Sequence, residues 1–218
     1  MLGIYNYTVI LTYVSMLVSI LGVSFATSGC FAEGLVCLLV SGLLDTFDGK
    51  IASTKKDRTA DEKRFGIQID SLSDLVCFGF LPAMLAYQWV IRSSLSRPIG
   101  WITLTVCGLY VLAALIRLAW FNVDEENRQD RMAVPGEREL YYGLPVTTSA
   151  LIIPSAFLIS FLLRDGAAGG LIPPCVLFVM AFAFLIPFKL KKPAMFGKLF
   201  MAALGLALLV LVLLVLRT

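Results

Sequence analysis

Seven long apolar stretches, at about 4–27, 31–52, 66–92, 98–122, 141–163, 170–188 and 198–216, decide what this chain can fold into. Each approaches the roughly 20 apolar residues that carry a helix across a bilayer. Inside hydrocarbon only helices and closed barrels satisfy every backbone N–H and C=O. With 59% hydrophobic residues among 218 and only 15% charged, no polar segment is left for a separate soluble domain. The expected fold is an all-α integral membrane protein, a bundle of about six to seven transmembrane helices with a polar cavity facing the cytoplasm. It is expected to form a single membrane domain over 1–218, with a catalytic core at about 5–190 and an extra C-terminal transmembrane helix at about 198–216. No Lys or Arg precedes Lys50, so the first stretch lacks the basic head of a signal peptide and reads as a retained helix.

Basic residues predict the orientation, because short cytoplasmic loops are rich in Lys and Arg. With the N-terminus inside, the loops after the second, fourth and sixth stretches hold Lys50, Lys55, Lys56, Arg58, Lys63 and Arg64, then Arg128, Arg131 and Arg138, then Lys189, Lys191, Lys192 and Lys198. That is thirteen of the eighteen basic residues, against Arg92, Arg97, Arg164 and Arg217 on the other side. A net charge of +3 gathered beside a membrane points to anionic headgroups and not to nucleic acid.

The chain contains no His, which excludes His bases, His metal ligands and Ser-His triads. Cys30, Cys37, Cys77, Cys107 and Cys175 are scattered through apolar sequence without a paired motif, so they read as packing residues, with no disulfide and no zinc. On the first stretch, Thr8, Thr12, Tyr13 and Ser15 read as packing hydroxyls, and Gly34, Ser41 and Gly42 on the second as small residues for close helix approach. Pro82, Pro145, Pro154 and Pro187 are expected to bend helices.

Chemistry has to run on carboxylates. Asp45 and Asp48 end the second stretch, and Asp70 and Asp74 begin the third. Spacings of three and four keep each pair on one helical face. At 1.5 Å rise per residue, Asp45 lies about 12 Å inward from Ser53 and Asp74 about 12 Å inward from Gly66. A short loop makes the two helices antiparallel neighbours, so Asp45 should meet Asp74 and Asp48 should meet Asp70. Four ionised acids in a poorly hydrated site repel one another, and hard divalent cations are the natural counter-charge. Two ions about 3.5 to 4 Å apart would be typical of phosphoryl transfer. Asp57, Asp61 and Glu62 read instead as a solvated charged loop, Glu33 as an interfacial charge, and Gly49 and Gly66 as places where a ligand can approach the backbone.

Asp45, Asp48, Gly49, Ala52, Gly66, Asp70 and Asp74 resemble the signature DxxDGxxAR followed by GxxxDxxxD of the CDP-alcohol phosphotransferase family. Ser53 stands where the family usually has Arg, and twelve residues separate it from Gly66 where eight are usual. Arg58, Lys63 and Arg64 in the longer loop are the candidates for the missing charge. The segments Asp70–Ala83, Arg117–Val123 and Tyr142–Val146 make the chain most similar to the membrane-embedded phosphatidylserine synthases of that family, over roughly residues 5 to 160.

The resemblance implies that the phosphatidyl group of CDP-diacylglycerol passes to the hydroxyl of L-serine with release of CMP, at the cytoplasmic face of a bacterial plasma membrane. It implies that Asp45, Asp48, Asp70 and Asp74 hold two divalent ions, Mg²⁺ or Mn²⁺, and that Asp74 is also the general base. Asp48, Gly49, Ala52, Ser53 and Gly66 are the expected substrate-binding residues, and a homodimer is the expected assembly. Arg117, near the cytoplasmic end of the fourth stretch, is the one basic residue expected inside the membrane region, and a buried Arg can bind the serine carboxylate bidentately or snorkel to the interface. Asn122, Tyr142 and Gly143 are further candidates beside it. Two other readings stay open: the same chemistry with glycerol phosphate or inositol phosphate as acceptor, and a divalent-cation transporter using the acids as its ion path.

Overall fold

The computed structural model describes residues 3–93, 95–131, 140–163, 167–191 and 195–215. Arg138, Arg164, Lys192 and Arg217 of the charge count lie outside them. The chain is an all-helical membrane bundle with one small ribbon. Helix α1 spans Tyr7–Ser28 and α2 spans Phe31–Thr54. A single helical rod, Ala60–Arg92, follows, made of α3 (Ala60–Asp74), a π-helical turn (Leu75–Phe80) and α4 (Leu81–Arg92). Then come α5 (Arg97–Arg131), α6 (Ser149–Leu162), α7 (Ala167–Leu185) and α8 (Met195–Val215). Tyr7–Ser28, Ala60–Arg92 and Arg97–Glu126 are long and apolar enough to cross a membrane, and Val146–Leu162, Gly169–Leu185 and Ala203–Leu214 are shorter apolar helices.

Three elements depart from the expected boundaries: α5 runs on to Arg131, so Arg128 and Arg131 lie in a helix and not in a loop after 122, and the other two have a local reason. The third helix starts at Ala60 and not near 66, because Thr59 and Glu62 form a capping box: Thr59 Oγ1 accepts from the Glu62 N–H at 3.2 Å, and Glu62 Oε2 accepts from the Thr59 N–H at 3.0 Å. Glu62 is therefore not a solvated loop charge. It also accepts from Lys55 Nζ at 2.5 Å and from Asn6 Nδ2 at 2.9 Å, tying the start of α1 to the loop between α2 and α3. The fifth stretch does not become helical at 141. Leu140–Tyr142 (β1) pairs antiparallel with Lys189–Lys191 (β2), Pro145 stays extended, and a 3-10 turn over Val146–Thr148 leads into α6.

Small and hydroxylated residues set the helix contacts, as membrane packing favours. Ser15 and Ser19 of α1 face Ser41 of α2: the Ser19 and Ser41 hydroxyls lie 2.9 Å apart, and Ser41 donates to the Ser15 carbonyl at 3.2 Å. Gly42 lets α6 approach so closely that a Cβ there would sit 2.7 Å from the Ala150 Cβ. Farther along, Phe31, Trp89, Phe157 and Phe161 form a ring cluster, with Phe31 and Trp89 edge to face at 5.0 Å.

The π-helical turn follows from Pro82. Proline has no N–H to give the Phe78 carbonyl four residues back. That carbonyl accepts instead from the Tyr110 hydroxyl at 2.6 Å and the Ser149 hydroxyl at 3.1 Å. The Leu81 N–H reaches back five residues to Val76. Three helices thereby meet at the turn that immediately follows Asp74.

Candidate active site

α2 and α3 run antiparallel across the short loop and turn their acidic faces together. Carboxylate oxygens of Asp45, Asp70 and Asp74 all lie within 4.8 Å of one another, and the three residues are half-buried. Asp45 is within hydrogen-bonding reach of Asp74, and Asp48 of Asp70, the pairing that the two spacings predict. Asp48 flanks the group of three and is fixed from α1, where Thr12 Oγ1 donates to its Oδ2 at 3.2 Å. Ser73 donates to the Thr12 carbonyl at 3.2 Å, locking α3 to the same turn of α1. Ser71 donates to Asn122 Oδ1 at 3.0 Å and ties α3 to α5.

Carboxylates held this close repel when ionised, so the group calls for a shared proton or a cation among them. The donor set is all oxygen, anionic and without sulfur or imidazole, which suits a hard divalent ion. The group of three fits such an ion, and Asp48 adds a fourth carboxylate at its edge.

Beside the acids lies a cavity of about 350 Å³, walled by Asp48 and Asp70 together with Thr8, Val9, Thr12, Gly49, Ala52, Arg58, Lys63, Gly66 and Ile67. A Cβ on Gly49 would meet nothing within 4 Å, so that backbone faces open space. Gly66 is different, because a Cβ there would lie 2.6 Å from Arg58 Nη2. Ser53 is outside the lining: it is exposed and donates to the Lys50 carbonyl at 2.6 Å. Arg117 is outside it too, 9% exposed, with Nε donating to the Leu144 carbonyl at 3.3 Å. Gly143 sits against it at φ +76, where any Cβ would be 3.1 Å from the Ile186 carbonyl and 3.4 Å from Arg117 Nε. Asn122 serves as the partner of Ser71, and Tyr142 lies in β1.

The wall supplied by α1 is the part that sequence reasoning misses. Thr8 and Thr12 are four apart and share a helical face, yet nothing in the chain tells that face from a packing face. Glu62 was findable, since Thr59-x-x-Glu62 is a capping-box pattern.

A model of the CDP-alcohol phosphatidyltransferase family matches residues 5–217. The chain belongs to that family. Within it, the chain is 28% identical over 150 residues to the CDP-diacylglycerol--serine O-phosphatidyltransferase of Helicobacter pylori, covering 69% of this chain and 56% of that one. It is 31% identical over 167 residues to the archaetidylserine synthase of Methanothermobacter thermautotrophicus, covering 77% and 61%. It is 30% identical over 144 residues to the CDP-diacylglycerol--serine O-phosphatidyltransferase of Mycobacterium tuberculosis, covering 65% and 45%. The chain thus spans about half the length of the curated relatives it matches.

Proposed function

We propose that this protein transfers the phosphatidyl group of CDP-diacylglycerol to the hydroxyl of L-serine, giving phosphatidylserine and CMP. The observation that carries the reading is the convergence of Asp45, Asp70 and Asp74 beside a cavity at one end of the bundle. Asp45, Asp48, Asp70 and Asp74 would hold two divalent ions, Mg²⁺ or Mn²⁺, which would neutralise the charge of the diphosphate and of the departing CMP. Thr12 holds Asp48 in its orientation. Gly49 and Ala52 give the cytidine diphosphate group room along the α2 backbone, and Gly66 borders it from α3.

Asp74 takes the proton of the serine hydroxyl as its oxygen attacks the phosphorus that carries diacylglycerol, and the bond from that phosphorus to the CMP oxygen breaks. Arg117, fixed by the Leu144 carbonyl and by the close backbone of Gly143, binds the serine carboxylate. The cavity opens to the cytoplasm, on the side of the basic loops, and the protein works as a homodimer in a bacterial plasma membrane.

The test is CMP release by purified protein given CDP-diacylglycerol, Mg²⁺ or Mn²⁺, and a panel of acceptors. L-serine should be used in preference to glycerol phosphate and inositol phosphate, and a chelator should stop release until the ion is restored. A preference for a phosphorylated alcohol overturns the acceptor. With chiral donor, direct attack inverts the configuration at phosphorus, and retention overturns the single displacement.

A further inference from the structure

Arg58 lies in the loop between α2 and α3 and walls the same cavity as Asp48 and Asp70. Its guanidinium rests on Gly66, where a Cβ would lie 2.6 Å from Nη2. Nη2 donates to the Glu62 carbonyl at 3.2 Å, while Nε is buried with no partner. A buried N–H without an acceptor is unfavourable and is improved by any anionic oxygen that reaches it. The Glu62 carboxylate, four residues on, is engaged with Lys55 in an ion pair and with the Thr59 N–H and Asn6. The same contacts hold the loop in place. The cavity therefore has acids along one side and a preset guanidinium fork on another, with Gly49 facing open space. A phosphate-bearing ligand that bridges cations on the acids fits between these two sides, and a guanidinium matches its oxygens bidentately.

We propose that Arg58 is a substrate-binding residue whose guanidinium holds the diphosphate oxygens of the donor across Gly66. The proposal rests on the reading of that donor as a cytidine diphosphate-linked lipid. It assigns to the longer loop the positive charge that exposed Ser53 does not bring to the cavity.

Calorimetry on the full chain in lipid nanodiscs with Mg²⁺, using CDP and cytidine as probes, tests this. Arg58→Gln should bind CDP about tenfold or more weakly than the unaltered protein, with cytidine binding, the KM for L-serine and the unfolding temperature unchanged. Arg58→Lys should recover part of the loss, because it restores the charge but not the fork. Unchanged CDP affinity in Arg58→Gln overturns the role of Arg58 alone, as does an equal loss for CDP and cytidine. If Arg58→Gln does not fold, Arg58→Lys carries the test, and full CDP affinity there overturns the proposal. An unaltered protein that binds neither CDP nor CDP-diacylglycerol overturns the donor reading, and Arg58's role with it.

Discussion

At one end of the bundle, α2 and α4 bring Phe31 against Trp89 with ring centroids 5.0 Å apart, and Phe157 and Phe161 of α6 close the cluster. At the other end the same α2 and the α3 half of the same rod bring Asp45 against Asp74. The aromatic end holds together by edge-to-face rings that attract and exclude water, at the cost of leaving the Trp89 indole N–H buried without a partner. It is also tied off: Gly29 caps α1 at φ +85, and Arg92 donates to the Thr27 carbonyl. The acidic end gathers half-buried like charges around a cavity and depends on something else to balance them. One pair of helices is thus built for stability at one end and for chemistry at the other.

Removing an acid should give the largest effect. Asp74→Asn or Asp70→Asn is expected to lower turnover by about a thousandfold or more, while the unfolding temperature measured with a chelator present holds or rises, since one repelling charge is gone. Near-normal CMP release in Asp74→Asn would break the functional half of the comparison. Trp89→Ala should do the reverse, costing about 3 kcal/mol of stability while the folded fraction keeps its kcat and KM. If its kcat falls as well, the two ends are not separable.

The π-helical turn sits between them and sharpens the contrast. Tyr110→Phe combined with Ser149→Ala leaves the Phe78 carbonyl unpaired, at about 1–3 kcal/mol. Because that turn abuts Asp74, turnover should fall along with stability, which separates this pair from Trp89. Smallest is Thr12→Val, which frees Asp48 on one side. It should raise the Mg²⁺ or Mn²⁺ concentration for half-maximal activity by up to about tenfold without altering the unfolding temperature.

The acidic end was legible because its signal is both periodic and out of place. Spacings of three and four on two apolar stretches leave few ways to place Asp45, Asp48, Asp70 and Asp74 except facing one another. The seven stretches were readable for the same reason, as hydrocarbon demands unbroken apolar helices. What could not be read depends on contacts between stretches. Thr12 becomes a partner of Asp48 only through the packing of α1 on α2. Arg58 stands out from Lys63 and Arg64 only once Gly66 is seen beneath its guanidinium. The late start of α6 follows from pairing between β1 and β2, some fifty residues apart in sequence. Pro82 announced a bend, but Tyr110 and Ser149, the two hydroxyls that answer it, come from distant helices.

That proline has a consequence for how the rod can change over time. Each bond from residue i to i+5 takes in one residue more than an ordinary helical bond, so side chains before and after the Leu75–Phe80 turn follow separate angular patterns. The acids of α3 can keep their aim at α2 while α4 adjusts its own face toward Phe31 and α6. Tyr110 and Ser149 then act as a swivel pin between two halves of one helix, and mutational drift in the anchoring half need not turn the reactive half away from its target.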